Sequence, residues 1–227
     1  MQAGKDFTLK VILTSQRLVN INEYLETREC LDVRWGAFFR ECRLLPVAVP
    51  LLFSIDEYFE TIKPKGILLT GGNDLSVCRT GDKLSKDRDM LERKLIHEGI
   101  ERCVPIIGVC RGMQMIASYF GLSIQKVEGH VDKVHSVRFE RNTLFSPHYS
   151  DVCDKNSFHE YTIGKMDREF QVIALSSNDG SIEAIQHKEH KIAGIMWHPE
   201  RTEPFSSSDI SFFIDFFTRD SAGNNGR

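Results

Sequence analysis

Through the first half of the chain, short apolar runs alternate with longer stretches whose apolar residues recur at helical spacing. "LKVILTS" (9–15), "LLPVAVP" (44–50), "KGILLTGG" (65–72) and "VPIIGV" (104–109) have the length and β-branched content of buried strands. Between them, Leu31, Trp35, Phe38, Phe39 and Cys42 predict a helix over 28–43, with the three aromatic residues in the core. Ser54 and Glu57 stand at capping-box spacing and mark a second helix start. Met90, Leu91, Leu95, Ile96 and Ile100 predict a helix over 87–102, and residues 113–120 a further one that stops at Gly121.

The second half changes character. "SVRFE", "QVIALSS", "SIEAIQH" and "KIAGIMW" are short β-rich runs, with a solvated hairpin turn expected at "QHKEHK", which holds His187 and His190. A last helix over 208–218 carries Phe212, Phe213, Ile214, Phe216 and Phe217 as core, and 220–227 reads as a disordered tail. Strand–helix alternation followed by β-rich runs predicts an α/β fold. Its expected form is a three-layer α/β/α, flavodoxin-like sheet, mostly parallel with antiparallel additions in the C-terminal half. No repeat or linker interrupts residues 1–219, so one domain is expected.

Composition changes this picture little. The 227 residues are 41% hydrophobic and 27% charged with a net charge of −3, which supports a sizeable core and gives no basic footprint for nucleic acid. No apolar run reaches membrane-helix length and the first residues lack a signal-peptide core, so a soluble, cytoplasmic protein is expected. The six cysteines form no CxxC pair and read as reduced thiols, mostly small buried residues.

One cysteine stands apart. In "PIIGVCRGMQMIASYFG" (105–121), Cys110 lies between Gly108 and Gly112, after a strand and before a helix. That is the spacing of a nucleophile elbow with sulfur replacing oxygen: a tight turn leaves no room for side chains two residues away on either side. A thiol at a helix N-terminus is favoured as thiolate, the reactive form. The amide of Arg111 is placed to donate to a developing oxyanion, and the bare backbone of Gly71-Gly72, at the end of the neighbouring strand, can supply a second donor. A thiolate mechanism also needs a base and an orienting group. "MWHPE" (196–200) offers His198 and Glu200 after a predicted strand, where alternation would put both on one side. Elsewhere His130, in "EGHVDKVHS", is a candidate for the pocket mouth, and His187 with His190 lacks a partner set for a metal.

"LLTGGNDLS", "GVCRGMQ", "NSFH" and "MWHPE", in this order and spacing, resemble the class I glutamine amidotransferase superfamily, and within it the peptidase C26 branch of stand-alone γ-glutamyl hydrolases. The resemblance spans nearly the whole chain to Glu200. It implies a Cys110–His198–Glu200 triad and oxyanion donors at Gly72 and Arg111. It further implies substrate contacts from Gly71, Gln114, and a loop carrying Asn156, Ser157 and His159. Glu160 and Tyr161 stand where many relatives have His and Gln, a departure that bears on substrate contacts and not on the triad. The implied chemistry is hydrolysis of a γ-glutamyl amide through a thioester, releasing L-glutamate with no metal or organic cofactor.

Three functions follow from the resemblance: a stand-alone hydrolase of a small-molecule γ-glutamyl substrate, a glutaminase subunit feeding ammonia to a synthase partner, or a non-catalytic binding protein. The complete triad disfavours the last, and no docking face in the sequence favours the synthase partner. "SQRL" followed by "YLETRECLDVRW" is similar to γ-glutamyl-CDP-amidate hydrolases, which act in capsule phosphoramidate synthesis and leave cytidine diphosphoramidate. Arg17, Arg28 and Arg34 in this stretch would suit a pyrophosphate leaving group. A small γ-glutamyl amine such as γ-glutamyl-γ-aminobutyrate is the alternative substrate.

Overall fold

A computed structural model describes residues 9–79 and 81–219; the tail expected at 220–227 lies outside the described residues. The first strand, β1 (Lys10–Thr14), is followed by β2 (Arg17–Ile21) and β3 (Glu26–Cys30), α1 (Arg34–Glu41), β4 (Leu44–Ala48), α2 (Ile55–Ile62) and β5 (Gly66–Leu69). Next come α3 (Lys83–Glu101), β6 (Ile106–Val109), α4 (Arg111–Tyr119), β7 (Ile124–Lys126), β8 (Val131–Phe139) and β9 (Val152–Phe158). β10 (Tyr161–Ile163), β11 (Phe170–Ser176), β12 (Ile182–His187), β13 (Ile192–Ile195) and α5 (Ser207–Thr218) follow among the described residues. The sheet has nine strands in the order β4-β1-β5-β6-β13-β12-β11-β8-β9. Pairing is parallel from β4 to β13 and antiparallel from β13 to β9, so the expected mixed sheet is the one observed.

Alternation along the parallel strands feeds two cores. Ile12, Leu68, Ile107 and Ile195 face one side and pack on Trp35, Phe38 and Phe39 of α1 and on Phe212, Phe213, Phe216 and Phe217 of α5. Leu13, Ile67, Leu69 and Ile106 face the other, against Phe59 of α2, Leu91, Leu95 and Ile96 of α3, and Met113 and Ile116 of α4. Helices on both faces make the three layers. α2 starts as the capping-box spacing predicts, with Ser54 Oγ accepting from the amide of Glu57 at 3.4 Å.

Several expectations are corrected. Residues 28–30 are not helical: they belong to β3, which pairs with β2 as a separate antiparallel hairpin, and α1 starts only at Arg34. β3 is solvent-exposed along most of its length and has no apolar alternation to reveal it. Met90 is 58% exposed, so the core face of α3 is carried by Leu91, Leu95 and Ile96. The turn at 188–190 is exposed as expected, but His187 before it is buried, its Nδ1 accepting from the amides of Glu189 and His190 at 3.0 Å. "NSF" is the end of strand β9 and not a loop. All six cysteines are free thiols, but only Cys42 and Cys110 are buried.

α5 is tied to the sheet by a polar knot. The buried Asp209 carboxylate accepts from Tyr149 Oη at 2.6 Å, Lys155 Nζ at 2.9 Å and Trp197 Nε1 at 3.0 Å. Trp197 immediately precedes His198, so this knot fixes where β13 delivers that histidine.

Candidate active site

Cys110 sits between β6 and α4 with φ +53° and ψ −108°, a backbone conformation that L-residues rarely adopt. Such strain persists only where neighbours over-determine it. Here the Cys110 amide donates to the carbonyl of Ile195 at 2.7 Å, and the two flanking glycines are pressed against backbone. A Cβ on Gly108 would lie 2.4 Å from the Gly112 carbonyl carbon, and one on Gly112 would lie 2.1 Å from the Leu69 carbonyl oxygen. Neither obstacle is the end of a flexible side chain. Gly112→Ala therefore destabilises the protein by at least about 3 kcal/mol, the upper end of ordinary overpacking; urea unfolding checks it, and a loss below about 1 kcal/mol would show that the elbow can relax.

β13 runs parallel to β6 with Ile195 opposite Val109, so both chains leave the sheet at the same edge. That register brings His198 to Cys110. Asn156 on β9 grips the His198 backbone from both sides: its Oδ1 accepts from the His198 amide at 2.8 Å and its Nδ2 donates to the His198 carbonyl at 2.7 Å. His198 Nδ1 meets Glu200 Oε1 at 2.7 Å, with both side chains buried. This contact is not made by strand alternation, because β13 ends at Ile195 and Glu200 lies in the 3-10 turn Pro199–Arg201. Gly71 is needed on the other side of the ring, where a Cβ would stand 2.7 Å from His198 Cε1.

Burial alone would lower the His198 pKa, but the negative charge and hydrogen bonds of Cys110 and Glu200 override it and hold the ring protonated up to about 9. The folded state thus binds this proton more tightly than an unfolded chain does. The stability it contributes is complete below the ordinary value of 6.5 and is lost as pH rises through about 9. In Cys110→Ala one of the two anionic partners is gone, so the His198 ring titrates at a lower pH than in the wild type. NMR of the imidazole checks this, and an unchanged titration would mean that thiol and ring are not coupled.

The Gly71-Gly72 segment is held by a residue that sequence reading did not single out. The fully buried guanidinium of Arg88 on α3 donates to the carbonyls of Thr70 at 2.7 Å, Gly71 at 3.0 Å and Gly72 at 3.0 Å. In a planar trans peptide the C=O and the following N–H point in opposite directions. Fixing the Gly71 carbonyl on Arg88 therefore aims the Gly72 amide away from α3. Arg88 Nε also donates to Glu92 at 2.9 Å, Glu92 takes the guanidinium of Arg111, and Arg111 reaches Asp89 at 2.5 Å. Two buried cations thus alternate with two carboxylates. Burial lowers the Arg88 pKa to about 10, which leaves it charged at neutral pH. Burial likewise works against the Glu92 carboxylate, and Arg111 and Arg88 reverse it and hold its pKa below the ordinary value. The Arg111 side chain is committed to this network, which leaves its amide, the first of α4, as the group expected to serve the thiol. The signal in the sequence was a helix whose charged residues, Arg88 and Glu92, share the buried side with Leu91 and Leu95.

A thiol on a strained helix-capping turn, an imidazole–carboxylate pair beside it and a backbone segment with aimed amides together suit acyl transfer. Residues 12–200 match the Peptidase C26 family. The chain belongs to the peptidase C26 family. It is a C–N hydrolase of the glutamine amidotransferase type. Over 197 residues, 86% of this chain and 92% of the relative, it is 37% identical to the gamma-glutamyl-CDP-amidate hydrolase of Campylobacter jejuni. It is also 29% identical over 175 residues to a glutamine-hydrolyzing GMP synthase subunit of Pyrococcus furiosus, covering 75% of this chain and 81% of that protein. A glutamine amidotransferase from Thermotoga maritima has the same fold, with a TM-score of 0.64 at 17% identity and coverage of 92% and 84%.

In this C26 hydrolase two cavities flank the thiol–imidazole pair. One, of about 310 Å³, is lined by Cys110, Gln114, His159, Glu160 and Tyr161. The other, of about 260 Å³, is lined by Asp32, Trp35, Gly71, His198 and Arg201. Arg17 and Gly72 border both. Gln114 donates to the Tyr161 carbonyl at 2.9 Å. Asn156 and Ser157 line neither cavity: Asn156 holds the His198 backbone, and the buried Ser157 hydroxyl donates to the His130 carbonyl at 2.8 Å. His130 is buried and does not stand at a pocket mouth. Arg28 is paired with Glu26 on the exposed hairpin and lines neither cavity, although Val19, opposite it in register, lines the second, and Arg34 is paired with Asp32 at 2.6 Å. That pairing holds the Asp32 carboxyl down at about 2. Arg201, which sequence reading passed over, lines the second cavity with its guanidinium over the Phe158 ring at 4.7 Å.

Proposed function

We propose that the protein hydrolyses γ-glutamyl-CDP-amidate through a glutamyl thioester on Cys110, giving L-glutamate and cytidine diphosphoramidate. The observation that carries this reading is the strained Cys110 turn set beside the His198–Glu200 pair, with separate cavities on its two sides. The 37% identical relative supplies the substrate.

The Cys110 thiolate attacks the γ-carbonyl carbon and forms a C–S bond. The amides of Gly72 and Arg111 receive the oxyanion. As the C–N bond breaks, the His198 imidazolium gives its proton to the leaving nitrogen, which departs as the amidate. Water then attacks the thioester while neutral His198 takes a proton from it, and the thiolate leaves with glutamate released. Glu200 holds the ring tautomer that keeps Nε2 toward sulfur and substrate.

His198 must face the leaving nitrogen, so the cavity it lines takes the leaving group, and Arg17 and Arg201 meet the pyrophosphate there. The Gln114 cavity takes the glutamyl moiety, with Glu160 available to its α-ammonium group. Among the described residues no helix is long and apolar enough to cross a membrane.

The test is glutamate release by the purified protein alone, offered CDP-linked glutamine, γ-glutamyl-γ-aminobutyrate and free glutamine. Turnover of the cytidine conjugate at least about 100-fold above the others in kcat/KM is expected, a difference of about 2.7 kcal/mol in transition-state binding. Preference for γ-glutamyl-γ-aminobutyrate would replace the substrate and keep the mechanism. Turnover only of free glutamine, and only with a synthase present, would move the protein to the ammonia-delivering role of its GMP synthase relatives.

A further inference from the structure

Behind the His159 wall of the glutamyl cavity, three imidazoles converge on one carboxylate. His130 Nδ1, His135 Nε2 and His159 Nε2 each lie 3.5 Å from Glu183 Oε1, and all four side chains are buried. Glu183 draws the His135 pKa upward across this gap, yet His135 Nε2, His159 Nε2 and both Glu183 oxygens form no hydrogen bond of proper geometry. A buried polar cluster left in this state is costly, so it points to a missing positive species.

The outer nitrogens say which kind. His130 Nε2 faces the Asp179 carboxylate at 2.9 Å, and His159 Nδ1 faces the Tyr161 carbonyl at 3.1 Å. Both oxygens only accept, so the ring protons sit on these outer nitrogens. The inner lone pairs of His130 and His159 are then turned toward a carboxylate. Ser157 Oγ, 3.3 Å from His130 Nδ1, does not relieve this, because its proton goes to the His130 carbonyl at 2.8 Å.

Protons on the inner nitrogens would make charge-assisted hydrogen bonds of about 2.7–2.9 Å, shorter than these approaches. The 3.5 Å separations instead match the roughly 3.4 Å edge of a tetrahedron with metal–ligand bonds of about 2.1 Å. The donor atoms of His130, His159 and Glu183 all lie within 4.8 Å of one another.

We propose that His130 Nδ1, His159 Nε2 and the Glu183 carboxylate bind one divalent cation of the zinc class, a site separate from the thiol chemistry. Two imidazoles and a carboxylate suit zinc(II) in donor type and charge. Asp179 and the Tyr161 carbonyl supply the outer hydrogen bonds that orient ligating imidazoles, and His135 faces the third ligand, Glu183. The ion joins the start of β8, the end of β9 and β12. It thereby sets the position of His159, which lines the cavity holding Cys110.

The test uses the full chain carrying Cys110→Ala, so that the thiol cannot capture metal. The protein is stripped with chelator and titrated with Co²⁺ or Zn²⁺ alone. The expected result is one equivalent per chain, the visible absorption of four-coordinate cobalt without sulfur-to-metal charge transfer, and a raised melting temperature. His159→Ala and Glu183→Gln lose that equivalent, Asp179→Asn binds about 10–100-fold more weakly, and the exposed His97→Ala control binds as before. The proposal is overturned if the chain takes up no cobalt saturably, or if Glu183→Gln, which keeps the size of the side chain, binds it undiminished. It is equally overturned if NMR finds His130 and His159 doubly protonated and unmoved by added zinc.

Discussion

With Cys110 replaced by alanine, glutamate release falls by on the order of 10⁴-fold or more while the chain still folds. The thiol is the only group at the head of α4 that can form a covalent bond to the substrate carbonyl, and removal of a nucleophile from such a relay is the most damaging single change. Cys110→Ser is expected to fare little better. A hydroxyl at the same position is not ionised near neutral pH, so it would have to lose its proton during the attack instead of before it. Acid-quenched wild-type enzyme should carry a glutamyl adduct on the peptide containing Cys110, detected by mass spectrometry and absent from the alanine variant. Turnover that survives in Cys110→Ala would end the thioester mechanism.

The second large effect is at Arg88, far from the reacting atoms in sequence and not exposed to any cavity. Arg88→Met removes one member of a buried set of four charges, leaves Glu92 with Arg111 alone and strips the Thr70, Gly71 and Gly72 carbonyls of their donor. Breaking a buried ion pair in this way costs about 3–5 kcal/mol. Arg88→Lys separates stability from positioning: it keeps the charge but, as a compact ammonium, cannot hold the Thr70, Gly71 and Gly72 carbonyls together. Loss of one oxyanion donor typically lowers kcat by about 10²–10³-fold. Arg88→Lys should therefore lower kcat within that range with KM nearly unchanged. A rise in KM at constant kcat would instead assign Arg88 to substrate binding or to fold alone.

The contrast between Cys110 and Arg88 marks what a single sequence could reveal. The elbow was legible because sterics demand glycine at both flanking positions, and the structure puts backbone 2.4 Å and 2.1 Å from where their Cβ atoms would be. The parallel strands were legible because burial on both faces makes them continuous apolar runs. The β2–β3 hairpin was not, since β3 is exposed along most of its length and carries no apolar alternation, so nothing in the sequence separates it from the helical period of Trp35–Cys42. Asn156 shows the limit most clearly. Its motif pointed to a substrate contact, but its amide is spent on the His198 backbone, a role that depends on β9 and β13 meeting across the end of the sheet. Glu183 was invisible for the same reason, its partners coming from distant parts of the chain, and Arg88 showed only as a charge on the apolar side of its helix, with nothing to say which carbonyls it holds.

The β6–β13 adjacency has one more consequence, and it concerns time. Cys110 is synthesised long before His198, and the strand that carries the histidine must insert beside β6 after the antiparallel half of the sheet has been made. During translation the chain thus exposes a thiol with no imidazole to pair with it, and domains complete such non-local pairings late. A ribosome-bound chain that ends before β13 is expected to be catalytically silent. Hydrolysis is expected to begin only once β13 has inserted and α5 has docked Asp209 on Trp197, so the first turnover would report the end of folding.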